Sequence, residues 1–310
     1  MSRIACLFPG QGSQAVGMGL DLFERSPLVR DLYGRADEIL GFPVSRLSFE
    51  GPDAELRLTA NTQPALLVHG IAAYRLLDRE PVVAAGHSLG EYTALVAAGS
   101  LSFEEAVGLV HKRGLYMQEA VPVGTGEMAA VLGVGGEVIQ KSLDAARTGV
   151  VEIANWNSGE QIVISGEKAA VEEALALIKA PRAVMLPVSA PFHSRLMRPA
   201  EEKLAADLDR VTFRDPGFPV ITNVDARLIR TGEEARDALK RQVSRAVLWA
   251  SSMKILEGMD IDICVELGPG KVLSGLFKRI SRNWPKAPAV ASVENWEGLE
   301  KTKAALSGLL

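Results

Sequence analysis

Residues Val82–Gly99 read VVAAGHSLGEYTALVAAG. An apolar, β-branched start runs into Gly86-His87-Ser88-Leu89-Gly90, and an amphipathic apolar run follows to Gly99. The first part has strand composition and the last part helical spacing. A serine between two glycines at that junction fits a nucleophile elbow, a strand-to-helix turn that lifts a hydroxyl above the end of a sheet. The bend is so sharp that neighbouring positions must lack side chains. The N–H of Leu89, at the start of the helix, would then face a developing oxyanion with the helix dipole behind it. A serine that merely caps the helix is the plainer reading of the same residues. The strand–turn–helix context favours the nucleophile.

Working outward, short apolar runs alternate with longer helical patterns. RIACLF (residues 3–8) reads as a strand, and SPLVRDLYGRADEIL (26–40), QPALLVHGIAAYRLLD (63–78) and FEEAVGLVHKRGLYMQEA (103–120) read as helices. This alternation predicts an α/β fold with a largely parallel sheet. Pro122, Gly124 and Gly126 interrupt it. Beyond them EMAAVLGV, GEVIQKSLDAA, VVEIANWN, QIVISG, EKAAVEEALALIKA and RAVMLPV read strand, helix, strand, strand, helix, strand. That is the ferredoxin-like order. The expected domains are therefore a large one, residues 1–124 and 189–310, and a small inserted one, residues 125–188. The chain returns through a loop, SAPFHS, then a helix from about Arg195, strands FPVITN and DICVEL, and a final helix near GKVLSGLFKRI.

Hydrophobic residues make up 47% of the 310, and the formal net charge is −4. With no long basic run, no nucleic-acid partner is expected. No apolar run reaches membrane-spanning length, and the N-terminal apolar stretch is too short for a signal peptide. Cys6 and Cys264 lie in apolar runs and read as buried thiols of a cytoplasmic protein. No Cys/His cluster suggests a metal. Gly10-x-Gly12-x-x-Ala15 loosely matches a dinucleotide fingerprint. That fingerprint needs a second strand ending in an acid about 20 residues on, and here the region reads as helix through Asp31 and Asp37. The loop's better use is its backbone: the N–H of Gln11 could complete an oxyanion hole. ELGPGKVLSG, a second glycine turn opening a helix, reads as structural.

A serine nucleophile needs a base, and the chain has four histidines. His87 adjoins Ser88 and should point away from it. His69 falls inside an apolar helical pattern, and His111 lies on the far face of the long helix. His193 sits in a loop between Pro191 and Ser194, where a scaffold can present it, and is the expected base. No acid is well placed between them: Glu91 is too near Ser88, and the others fall mostly on solvated helical faces. A backbone carbonyl could orient the imidazole instead. Arg113 shares a helical face with Ala106, Leu109, Val110 and Met117. A guanidinium there either snorkels or pairs with an internal acid, or waits for a substrate carboxylate. Spacing leaves both open.

The segments FPGQGSQ, TQPAL, AGHSLGEYTALVAAG, HKRGLYMQEA, ANWNSGEQIVISG, APFHS, QVSRAVLW and ELGPGKVLSGL occur in this order. Together they resemble the malonyl-CoA:acyl carrier protein transacylases, from about Leu7 to Arg279. The resemblance implies an α/β-hydrolase-like core with a ferredoxin-like insertion. It implies that Ser88 is acylated, that His193 is the base, and that Arg113 binds the malonyl carboxylate. It assigns the oxyanion hole to the backbone N–H groups of Gln11 and Leu89, and the orientation of His193 to the backbone carbonyl of Gln242. Phe192 resembles malonyl-selective members. Where many members carry Pro-Val after that glutamine, this chain has Ala246-Val247. The implied reaction is ping-pong, from malonyl-CoA to holo acyl carrier protein, by a monomer without cofactor, supplying fatty-acid elongation. Polyketide acyl-transfer domains share most of these motifs. A serine thioesterase and, more remotely, a dinucleotide-binding protein are the alternatives.

Overall fold

The computed structural model describes residues 2–122, 124–188 and 190–308. Ser189, the expected first residue of the loop before His193, and Leu310, the expected end of the large domain, lie outside them. The strands are β1 (Ile4–Phe8), β2 (Val83–Gly86), β3 (Gly126–Leu132), β4 (Val151–Ser158), β5 (Gln161–Glu167), β6 (Arg182–Met185), β7 (Val220–Ile221), β8 (Leu228–Ile229), β9 (Ile263–Leu267) and β10 (Ala289–Val293).

One sheet has the order β10-β9-β1-β2-β7-β8 and is parallel except for β8. Every residue of β1, β2 and β9 is buried, as a central parallel strand covered on both faces requires. Strand alternation sends Cys6 and Phe8 into one apolar layer and Ala5 and Leu7 into the other. Helices Thr59–Leu77 and Phe103–Glu119 belong to the first layer. Trp249 and Phe277 belong to the second.

The second sheet is antiparallel, ordered β4-β5-β3-β6. Helices Gly136–Ala145 and Lys168–Ile178 pack on it through Ile139 and Val171, against Val131 and Ile164. The element order is the β-α-β-β-α-β read from the sequence. Outside the ladders of both sheets, an isolated parallel bridge ties Asn155 of β4 to Val247, in the segment just before the helix Trp249–Glu257. There the Val247 N–H donates to Ala154 O at 2.8 Å, and the Trp156 N–H donates to Val247 O at 2.9 Å.

Several expectations need correction. The helix Val272–Ile280 is not the last element, because β10 and the helix Trp296–Gly308 follow. Strand β7 keeps only Val220 and Ile221 of FPVITN. Short helices at Leu20–Arg25, Val44–Glu50 and Asp53–Leu56 were not anticipated. The helix expected from Gln63 starts at Thr59, with Pro64 inside it. Proline has no N–H for the carbonyl four residues back, here that of Ala60. His111 Nδ1 lies 2.9 Å from that oxygen and supplies the missing donor. Between β1 and β2 the chain is turns and helices, so the strand-borne acid of a dinucleotide site does not occur there.

Candidate active site

Ser88 joins β2 to the helix Leu89–Ala97 with φ 52° and ψ −106°. A side chain at either flanking glycine would collide with the fold. A Cβ on Gly86 would come 1.8 Å from the Gly90 carbonyl carbon, and one on Gly90 would come 2.0 Å from Phe8 O. This is the physical content of the Gly-x-Ser-x-Gly spacing. Asn223, two residues past β7, clamps both sides of the turn. Its Oδ1 accepts from the Ser88 N–H at 2.6 Å, and its Nδ2 donates to Gly86 O at 2.7 Å.

His193 is buried in its loop, which Ser194 Oγ tightens by donating to Pro191 O at 2.7 Å. Its Nδ1 lies 3.0 Å from Gln242 O and 3.2 Å from Arg245 O. Two carbonyls can only accept, so Nδ1 carries the proton and Nε2 is bare. Nε2 lies 2.7 Å from Ser88 Oγ. Burial first, and the Arg113 charge second, push His193 down to about 3. The imidazole is therefore neutral and able to take the hydroxyl proton.

Arg113 is buried among the apolar neighbours its spacing predicted. Its Nη1 donates to Gln63 Oε1 at 2.7 Å, and its Nη2 to Gln242 Oε1 at 2.9 Å and Ser88 Oγ at 3.1 Å. The guanidinium lies 5.4 Å from the centre of the Tyr92 ring, an attractive placement for a cation. It neither snorkels nor forms an ion pair among the described residues. Neutral amides hold it, which leaves its charge available to an incoming anion.

A cavity of about 100 Å³ is lined by Ser88, Leu89, Arg113, Phe192, His193 and Gln11, among others. Six of the seven expected site residues meet there, and Gln242 joins them through both its carbonyl and its amide. A wider cleft of about 1000 Å³ shares His193 and is also lined by Trp156, Arg195, Arg198 and Arg245. The other histidines make no hydrogen bond to Ser88 Oγ among the described residues, although His87 also lines the cavity. His87 Nε2 lies 2.8 Å from Asn157 Oδ1 with its ring against Trp249, and His69 is buried in a helix of the core.

The sequence reading missed Gln63 and Asn223, and it set Glu91 aside as too near Ser88. Glu91 does not reach His193, as expected, but it is not a bystander. Its Oε2 accepts from the Asn223 N–H at 2.9 Å and from Gln242 Nε2 at 2.7 Å. Burial raises its carboxyl to about 7, against the pull of those two donors and of Arg113. A charged residue in the first turn of LGEYTALVA, otherwise apolar, was the available signal. The Ala246-Val247 departure leaves the loop anchored, because Val247 is buried and bridged to β4.

Chemically, a hydroxyl beside a neutral imidazole is an activated nucleophile, and a buried cation on the same oxygen can pair with an anionic group. The acyl transferase domain family matches residues 6–289. The malonyl CoA-acyl carrier protein transacylase of Escherichia coli (strain K12) is 45% identical over 306 residues, covering 94% of this chain and 99% of its own. A crystal structure of an acyl carrier protein S-malonyltransferase from Vibrio cholerae O1 biovar eltor is 43% identical, with a TM-score of 0.93 over 97% of this chain and 100% of its own. A malonyl-transacylase solved in complex with a type II PKS acyl-carrier protein is 40% identical, with a TM-score of 0.94 over 98% of this chain and 100% of its own.

Proposed function

The chain belongs to the acyl transferase family of malonyl-CoA:acyl carrier protein transacylases, and from that membership we propose how its residues move a malonyl group from coenzyme A to the phosphopantetheine thiol of holo acyl carrier protein. The observation that carries the assignment is one atom. Ser88 Oγ lies 2.7 Å from His193 Nε2 and 3.1 Å from Arg113 Nη2. In a malonyl thioester a single methylene separates the carboxylate from the reacting carbonyl. A cation that holds the carboxylate must therefore lie within a few ångströms of the nucleophile, and Arg113 does.

Ser88 Oγ attacks the thioester carbonyl while His193 Nε2 takes its proton. The N–H groups of Gln11 and Leu89 hold the oxyanion. The carbon–sulfur bond breaks, His193 returns the proton to the leaving thiol, and coenzyme A departs from malonyl-Ser88. The carrier's thiol then attacks the ester with His193 again as base, and Ser88 leaves with the proton. Both thiols arrive with the substrates, so the transfer needs no metal or redox cofactor. Phe192, in the cavity wall, limits the width available to the acyl group.

The same reading divides the chain into residues 1–124 with 189–310 and residues 125–188, on the ground that the two sheets share no strand. It takes the enzyme as a monomer, since one chain supplies every site residue. It places the enzyme in the cytoplasm, in keeping with two buried, unpaired cysteines. No helix among the described residues is long and apolar enough to cross a membrane. The acyl group supplied is the extender unit of fatty-acid chain elongation.

The test is incubation with radiolabelled malonyl-CoA, with and without holo carrier protein, followed by mass spectrometry of the peptide carrying Ser88. The expected result is an adduct on Ser88 that discharges to the carrier. Release of free malonate in place of transfer would make the protein a thioesterase. Undiminished transfer by Ser88→Ala would remove Ser88 from the reaction.

A further inference from the structure

The main-chain N–H of Asn223 and the side-chain amide of Gln242 share one anchor beneath the elbow. Glu91 Oε2 accepts from the Asn223 N–H at 2.9 Å and from Gln242 Nε2 at 2.7 Å. Asn223 in turn grips the Ser88 N–H and the Gly86 carbonyl. Gln242 Nε2 also donates to Ser88 O at 3.0 Å, its Oε1 accepts from Arg113 Nη2 at 2.9 Å, and its main-chain carbonyl accepts from His193 Nδ1 at 3.0 Å. We propose that Glu91 is the positioning acid of this site, fixing Arg113 through the Gln242 amide and the Ser88 elbow through Asn223.

An amide can flip, and its neighbours decide which way it faces. Gln242 Nε2 meets two groups that accept, the Glu91 carboxylate and Ser88 O. Its Oε1 meets a guanidinium that can only donate. The flipped amide would set donor against donor at Arg113 and oxygen against oxygen at Glu91. Glu91 therefore selects the orientation in which Gln242 presents an acceptor to Arg113. The carboxylate also sits on the far side of that amide from the cation. It therefore orders the guanidinium through the amide without occupying it. A directly paired acid would compete with the substrate carboxylate; an acid one amide removed does not. Glu91 thus takes a third-member role in this site without touching the base.

The proposal rests on Arg113 as the carboxylate clamp, and the test keeps the two separable. The readout is the ratio of kcat/KM for malonyl-CoA to that for acetyl-CoA, which a loss of folded protein would not move. Glu91→Ala is expected to lower the ratio at least about tenfold, the scale of a hydrogen bond to a charged group. Gln242→Met, which keeps the main-chain carbonyl for His193, should lower it similarly. Glu91→Gln keeps an oxygen that can accept from both N–H groups and should hold the ratio near wild type. Adding Glu91→Ala to Arg113→Ala should lower it no further.

A wild-type ratio in Glu91→Ala, an equal fall for both substrates, or a Glu91→Gln that behaves like alanine overturns the proposal. So does a further fall in the double variant. If Glu91→Ala does not fold, Gln242→Met carries the test, and an unchanged ratio there is equally decisive. If Arg113→Ala itself leaves the ratio unchanged, the clamp reading fails and takes this proposal with it. If Arg113→Ala lowers the ratio while the other variants do not, only the positioning role of Glu91 falls.

Discussion

The imidazole of His193 donates from Nδ1 to the main-chain carbonyl of Gln242 at 3.0 Å. A peptide carbonyl takes the place that a carboxylate holds in a serine-protease triad, and the carbonyl of Arg245 supports it at 3.2 Å. Orientation and tautomer need only an acceptor, so the base can be fixed without a buried carboxylate beside it. His193→Ala should lower malonyl transfer roughly 10²- to 10⁴-fold, the range of positioned acid–base catalysis. Amidation of a triad aspartate in a serine protease costs about 10⁴-fold in turnover. Glu91→Gln should fall far short of that loss in steady-state transfer assays, with the circular dichroism spectrum intact.

Arg113 sits close enough to influence that base. Its charge is the second cause, after burial, of the depression of His193 to about 3, and His87 adds a smaller one. A cation disfavours imidazolium, so removing it must raise the pKa of His193. Protonation on the acid side then disables the base at higher pH. Acetyl-CoA, which has no carboxylate, isolates the effect. The acid limb of its kcat/KM should lie well below pH 6.5 in the native enzyme and move upward in Arg113→Ala. Coincident limbs would show that the guanidinium field does not reach the imidazole.

The elbow was legible because sterics dictate it: no residue larger than glycine fits at Gly86 or Gly90. Arg113 was legible because a charge on an apolar helical face breaks a periodic pattern. His193 stood out as a loop histidine with no packing reason to be there. The remaining polar groups carry no such signal. Gln63, Asn223 and Gln242 are buried, yet a buried amide and a solvated one look alike in sequence. Their roles come from tertiary hydrogen bonds with partners up to 154 residues away. Strand β10 was missed because AVASV is a half-exposed edge with no strong apolar run. The helices at residues 44–50 and 53–56 were missed because neither is long enough to show a period.

His69 gives the fold a pH dependence of its own. It is fully buried, and burial pushes it from 6.5 down to about 4, partly opposed by the Asp21 charge. The unfolded chain therefore takes up this proton before the folded one does. The sign follows from linkage: the stability is present above pH 6.5 and is lost as pH falls toward 4. At 1.36 kcal/mol per unit, the loss is roughly 3 kcal/mol across that window. His69→Leu should lack this component. Urea unfolding at pH 7.5 and pH 4 should show the native protein losing about that much more stability than the variant. Parallel losses in the two proteins would assign the acid sensitivity to other groups.

The sharpest prediction concerns Arg113. It is a permanently charged group, buried, held by two glutamine oxygens and the Ser88 hydroxyl rather than by an acid. A malonyl carboxylate is its natural counter-ion, and a two-pronged pair would fix the thioester over Ser88. Removing one member of a buried, hydrogen-bonded charge pair costs about 2–5 kcal/mol, which corresponds to roughly 30- to several-thousand-fold in kcat/KM. Arg113→Ala should lose malonyl transfer by that factor. Acetyl transfer should not fall in parallel, and should rise where the unpaired charge had discouraged a neutral acyl group. Arg113→Lys should recover only part of the malonyl activity, because an ammonium cannot reproduce the planar fork. The deciding quantity is the malonyl-to-acetyl ratio of kcat/KM in the native enzyme and in Arg113→Ala. An equal decline for both substrates would make Arg113 a structural residue and move the carboxylate pocket elsewhere.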